Sequence, residues 1–128
     1  MERDWMPGGG DRVTALIILP HAHNPDEHGQ RRRVDDEKFR QTMEELAARF
    51  GGGALWRFEE GAPRGYWWDR GVLDQDELTV LEVDIPNEPA ARRWLRQYAR
   101  EVLIPRFDQK AIYLKLIGPV EVMLVTVT

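Results

Sequence analysis

The segment VTALIIL (13–19) is apolar at both parities but for one threonine. Successive side chains of an extended chain point to opposite faces, so such a segment needs cover on both sides and belongs at the centre of a sheet. Pro20 ends it. The rest of the chain must then supply a layer for one face of that strand and shelter for the other.

Two segments read as helices. DDEKFRQTMEELAARF begins with acids, which suit a helix N-terminus, and stops at Gly51-Gly52-Gly53. Phe39, Met43, Leu46, Ala47 and Phe50 form one apolar stripe at helical spacing. A second helix is expected after Asn87 as N-cap, with Pro89 in its first turn and Ala91, Trp94, Leu95, Tyr98 and Val102 as its buried stripe. Pro105 is expected to limit it. ALWRFEE (54–60) and GYWWD (65–69) read as one long strand, bent or interrupted around Gly61–Gly65, with ELTVLEVDI (77–85) as its partner. AIYLKLI and VEVMLVTV flank Gly118-Pro119 and read as a terminal hairpin.

The order β-α-β-β-α-β-β predicts an α+β fold, a ferredoxin-like βαββαβ sandwich with an extra C-terminal β-strand. A single domain is expected over 13–128, behind a flexible leader, 1–12, whose Gly8-Gly9-Gly10 run resists a fixed backbone. At 128 residues the chain can bury roughly two-thirds of its unfolded surface, enough for a core without staples. Two helices cover one face of a sheet only. Leu16 and Ile18 on the other face therefore favour a homodimer, packed sheet to sheet or through the C-terminal hairpin, while Glu82, Asp84 and Lys115 keep the margins polar.

Composition removes several functions. With no cysteine and no serine, disulfides, thiolate catalysis and Ser-His-Asp triads are excluded. No apolar run approaches the ~20 residues of a membrane span, and the first residues lack the apolar core of a secretory signal, so the expected location is cytoplasmic. A net charge of -4 argues against general nucleic-acid coating. Glu59 and Glu60 are neighbours on a strand and face apart, so they make no acid/base pair. Gly51–Gly53 is followed by no Gly-Lys-Ser/Thr, so there is no phosphate loop.

Candidate chemistry gathers after the first strand, in HAHNPDEHGQRRR (21–33). In the expected sheet, strands 1 and 3 run parallel and the last main strand antiparallel to them. The carboxyl edge of the first strand then collects His21, His23, Asn87, Gln109 and Lys110, with the N-terminus of the first helix. Three readings stay open. His21 and His23 with His28, Asp26 or Glu27 could hold a divalent metal and activate water. Arg31, Arg32 and Arg33 could take an anion or nucleotide phosphate at the helix N-terminus, unless Asp35, Asp36 and Glu37 neutralise them. The loop could also be a solvated turn.

Two further features carry possible contacts. Arg92, Arg96 and Arg100, with Arg93 beside them, form a basic stripe that could meet nucleic-acid phosphates or simply face water. Trp67 and Trp68 point to opposite faces of a strand, one to the core and the other to a partner or a stacked ring.

FGGGALW, GYWWDRG and RFDQKAIYL together resemble a pattern of small uncharacterised bacterial and phage-associated domains, over residues 13 to 117. The resemblance implies the ferredoxin-like fold and singles out Gln109. It implies little about activity, and the histidine loop and arginine run lie outside it. The expected function is a homo-oligomer that binds a small anionic or nucleotide ligand at the strand-1 carboxyl edge, through Arg31 to Arg33, Asn87, Gln109 and Lys110. The alternatives are a phosphodiesterase or nuclease using a metal or a histidine (His21, His23, His28), and an assembly or partner-binding protein with no ligand.

Overall fold

A computed structural model describes residues 11–56, 64–69 and 72–127. Strand β1 (Arg12–Pro20) leads through a loop to helix α1 (Asp36–Phe50), then to β2 (Ala54–Trp56), β3 (Arg64–Asp69) and the long β4 (Val72–Pro86). Helix α2 (Pro89–Tyr98), a π-helical turn (Ala99–Leu103) and the short α3 (Ile104–Phe107) follow, and β5 (Tyr113–Val120) completes the sheet. The result is a mixed α+β fold with an antiparallel sheet ordered β2-β4-β1-β5, in which β3 pairs the first half of β4.

The two-sided apolar strand is central, as its composition demands, with β4 on one side and β5 on the other. Val13, Ala15, Ile17 and Leu19 join Leu81, Val83 and Ile85 under Phe39, Leu46, Phe50, Leu95, Leu103 and Phe107 to form the core. Helix α1 follows its stripe and ends where Gly51 takes φ 94°, a left-handed conformation glycine adopts without a Cβ penalty; its N–H donates to Ala47 O. Gly53 is required for space: a Cβ there would lie 2.5 Å from Glu82 O and 2.7 Å from Val83 Cγ1. Gly53→Ala is expected to cost about 1–3 kcal/mol through overpacking, read as a lower urea midpoint. An unchanged midpoint would show that β2 shifts freely away from β4.

Several expectations need correction. Arg12 belongs to β1 rather than to a leader, because its backbone pairs with Pro86 and Val120. The leader itself, 1–10, lies outside the described residues, as do residues 57–63. Helix α2 takes Glu88 rather than Asn87 as N-cap. Pro105 does not end the helical segment. The wider π turn before it resets the hydrogen-bond register, so Pro105 falls in the first turn of α3, where a missing N–H costs little. That reset also brings Ala99, Leu103 and Phe107 onto the buried side.

Among the described residues there is no terminal hairpin. Strand β5 runs through Gly118-Pro119 to Val120, with a register shift opposite Arg12/Thr14, and residues 121–127 carry no strand. An edge strand can accept this, since one row of its backbone groups needs no partner in the sheet. The backbones of Trp67 and Trp68 pair with Asp74 and Leu73, but their side chains lie outside the described residues. Among the described residues, no helix is long and apolar enough to cross a membrane.

Candidate functional site

Strand β1 runs antiparallel to β4, not parallel as expected, with Pro20 opposite Leu78 and Arg12 opposite Pro86. The crossover through α1 makes β1 and β2 point the same way, and β4 is inserted between them in the opposite sense. Asn87 is therefore carried to the far end of the sheet, where its N–H donates to Asp11 O at 2.9 Å. The carboxyl edge of β1 keeps the histidine loop and Gln109, because the amino end of β5 does lie there, with Tyr113 opposite Ile18.

The loop is a tied structure. After Pro20 its two legs pair: His23 N–H donates to Arg32 O at 2.8 Å, Val34 N–H donates to His21 O at 2.7 Å, and Ala22 bridges Arg33. Asp26 closes the tip by accepting from the N–H groups of His28 and Gln30 through one carboxylate oxygen, an Asx turn. The C-terminal end of the second helical segment anchors it from below. Gln109 Nε2 donates to Ala22 O and to Phe107 O, both at 2.9 Å, and Asn24 N–H donates to Asp108 O at 3.0 Å. Asp108 adopts a left-handed backbone there (φ 49°), which lets the chain reverse toward the loop.

Each histidine meets a different partner. The buried His23 donates Nδ1–H to the Phe107 carbonyl at 3.2 Å, which assigns that tautomer. His21 Nε2 is 2.6 Å from Thr79 Oγ1, its Nδ1 is 3.5 Å from Glu77 Oε2, and its ring stands edge-on to Phe39. His28 is exposed beside Glu27. The metal site expected from these residues does not assemble: among the described residues no group of three His, Cys, Asp or Glu could hold a metal ion. Sequence spacing placed the imidazoles in one loop, but Phe107 and Thr79, distant in sequence, draw the first two apart.

Of the expected ligand-binding set, the structure brings Arg31 and Gln109 to the loop and leaves Asn87 at the opposite end. Arg31 Nε donates to His23 O at 3.0 Å, and Arg31, Arg32, Arg33 and Lys110 are all exposed. The first turn of α1 carries Asp36 and Glu37, which answer the helix dipole without a bound anion. On α2 the basic stripe holds in part. Arg93, Arg96 and Arg100 are exposed, whereas the half-buried Arg92 donates to Asn87 Oδ1 at 2.7 Å.

One polar cluster carried no signal in the sequence. Arg106 clamps Glu45 with two parallel bonds, Nη1 to Oε1 at 2.9 Å and Nη2 to Oε2 at 2.8 Å, and also donates to Thr42 Oγ1. Tyr98 O–H donates to the same Glu45 Oε1, and Lys38 Nζ donates to Arg106 O. Arg106's bonds hold the Glu45 carboxyl below the usual carboxylate range, and Glu45 in turn raises the Arg106 guanidinium. Burial, followed by the bond to Glu45, pushes the Tyr98 phenol up. The cluster ties α1 to α2 and α3. Such a clamp is visible only when residues sixty apart meet.

No family model matches the chain, and neither the curated proteins nor the solved structures searched contain a match to it.

Proposed function

We propose that the chain is a ferredoxin-like domain that assembles with a second copy of itself through β5 and the segment after it. The strand order supports the fold part of this reading if β2 and β3 are taken as two pieces of one strand along β4. The observation that carries the assembly is the exposure of an apolar, β-branched segment: Met123 is 73%, Val125 86% and Val127 102% exposed, and Leu124 is also open. Leu116, Ile117 and Tyr113 on β5 are exposed beside it. Pairing between β5 and β1 ends at Val120 opposite Arg12, and among the described residues the sheet offers no strand to residues 121–127. An edge strand also presents a row of unpaired backbone groups, and two copies meeting edge to edge satisfy both at once in an isologous interface.

The open face of the sheet adds to this. Trp56, Val80, Ile18 and Tyr113 stand in one cross-strand row, and Trp56 and Tyr113 are exposed. The reading of Arg31 to Arg33 as an anion site at the carboxyl edge rests on their exposure alone, because His21, His23 and Gln109 are engaged in holding the loop. Sedimentation equilibrium of the full chain should give a dimer, and both a chain ending at Val120 and Ile117→Lys should give folded monomers. A wild-type chain that stays monomeric at every concentration would sink the proposal.

A further inference from the structure

At the end of the sheet opposite the histidine loop, a cleft of about 570 Å³ is bounded by Arg12, by the last turn of α1 (Ala47 to Phe50) with Gly51, and by Pro86, Glu88, Ala90 and Ala91. Its size falls in the range of small-molecule sites. Two independent features of it point to the same kind of ligand.

The first is Arg12. Its side chain is charged at any ordinary pH, and yet the residue is only 6% exposed. Its Nε is buried and has no hydrogen-bond partner among the described residues. Buried cations are normally paired, because a guanidinium taken out of water without an acceptor is costly. The second is α2, a helix of ten residues whose N-terminus opens into the cleft. Its N-cap residue, Glu88, makes no side-chain capping bond, Pro89 has no N–H to satisfy, and the first turn carries no acid. Among the described residues no hydrogen bond outside the helix takes the amides of Ala90 and Ala91, which lie at the positive end of the helix dipole. Helix α1, by contrast, has two acids in its first turn.

We infer that this cleft binds a compact oxyanion of phosphate type, held between the Arg12 guanidinium and the N-terminus of α2. Planar guanidinium donors and helix N-terminal amides are the two groups proteins commonly combine for tetrahedral oxyanions. Arg49, also in the wall, adds a second cation and is held over the Trp94 ring at 5.0 Å from its centroid. Glu88 is the one carboxylate among the described lining residues, and two arginines face it there. The remaining wall, Ala47, Ala48, Phe50 and Pro86, is apolar and could accept the uncharged part of a phosphorylated small molecule. No residue of β5 lines the cleft, although the Arg12 backbone pairs with Val120, and the inference does not rest on the assembly reading.

Two probes distinguish free phosphate from a phosphate monoester: inorganic phosphate and adenosine 5′-monophosphate, titrated into the full chain by calorimetry and by amide NMR. Saturable binding of either, with the largest shifts at Ala90 and Ala91, is expected, and the tighter of the two identifies the source. Arg12→Gln should weaken binding by about tenfold or more, the scale of one charge-assisted hydrogen bond. Ala90→Asp provides a second variant at an exposed position, where an acid stabilises the helix start while repelling an anion. It should bind as weakly as Arg12→Gln while melting no lower than wild type. Failure of both probes to bind would overturn the inference. So would binding that neither variant weakens, which would move the anion elsewhere, to Arg31–Arg33 for instance.

Discussion

Phe107→Ala is expected to destabilise the fold by about 3–5 kcal/mol, the range for truncating a fully buried aromatic side chain. Phe107 is 0% exposed and its ring centre lies 5.2 Å from that of Phe39. Removing it opens a cavity beneath α1 and withdraws a ring contact of the kind that adds to area burial. Small domains have about 5–15 kcal/mol in total, so this loss is a large share. The residue also marks where the helical segment turns to hold the loop: its carbonyl accepts from His23 and from Gln109. Urea melts followed by fluorescence and by amide exchange should therefore show a much lower midpoint and early loss of protection at His23. A loss under about 1 kcal/mol would mean that Phe107 is not in the core.

Arg106→Ala should cost about 2 kcal/mol, less than the 3–5 expected for a fully buried pair, because the Glu45 side chain is 37% exposed and water screens it. The double variant with Glu45→Ala should cost less than the sum of the two singles, since each single variant already breaks the same clamp. A purely additive cycle would show that the two helices are held by packing alone. Both ends of the pH scale should report the cluster. The Glu45 carboxyl sits below its unfolded value, so its contribution is complete above the carboxylate range and lost as pH falls through the folded value. The Tyr98 phenol is raised, so its contribution is complete below the usual phenol value of about 10 and lost as pH rises past it. Glu45→Gln should flatten the acid limb of a stability profile, and Tyr98→Phe the alkaline limb.

Helix α1 and the central place of β1 were legible because each is written in local periodicity: Phe39, Leu46 and Phe50 at helical spacing, and an apolar run at both parities. The fold class followed from the order of such segments. Pairing sense was not legible, since β1 beside β4 has the same composition whether the two run parallel or antiparallel. Asn87 was misplaced for that reason, although the amino end of β5 and Gln109 were placed correctly. Gln109 reaches that edge but spends its side-chain amide on the carbonyls of Ala22 and Phe107. The C-terminal hairpin does not form among the described residues because strand-forming composition does not supply a neighbour, and the described part of β1 pairs no further than Arg12.

What the sequence by itself determined is therefore the α+β class, the two helices and the impossibility of thiol or serine chemistry, all consequences of residue type and short-range spacing. Only the tertiary structure decided which polar groups meet. His21 and His23 share a loop but turn to Thr79 and Phe107, Glu45 finds Arg106, and Arg12 is buried at the mouth of α2. Those pairings span 58 to 84 residues, and nothing in the local chain encodes the burial that makes each of them matter.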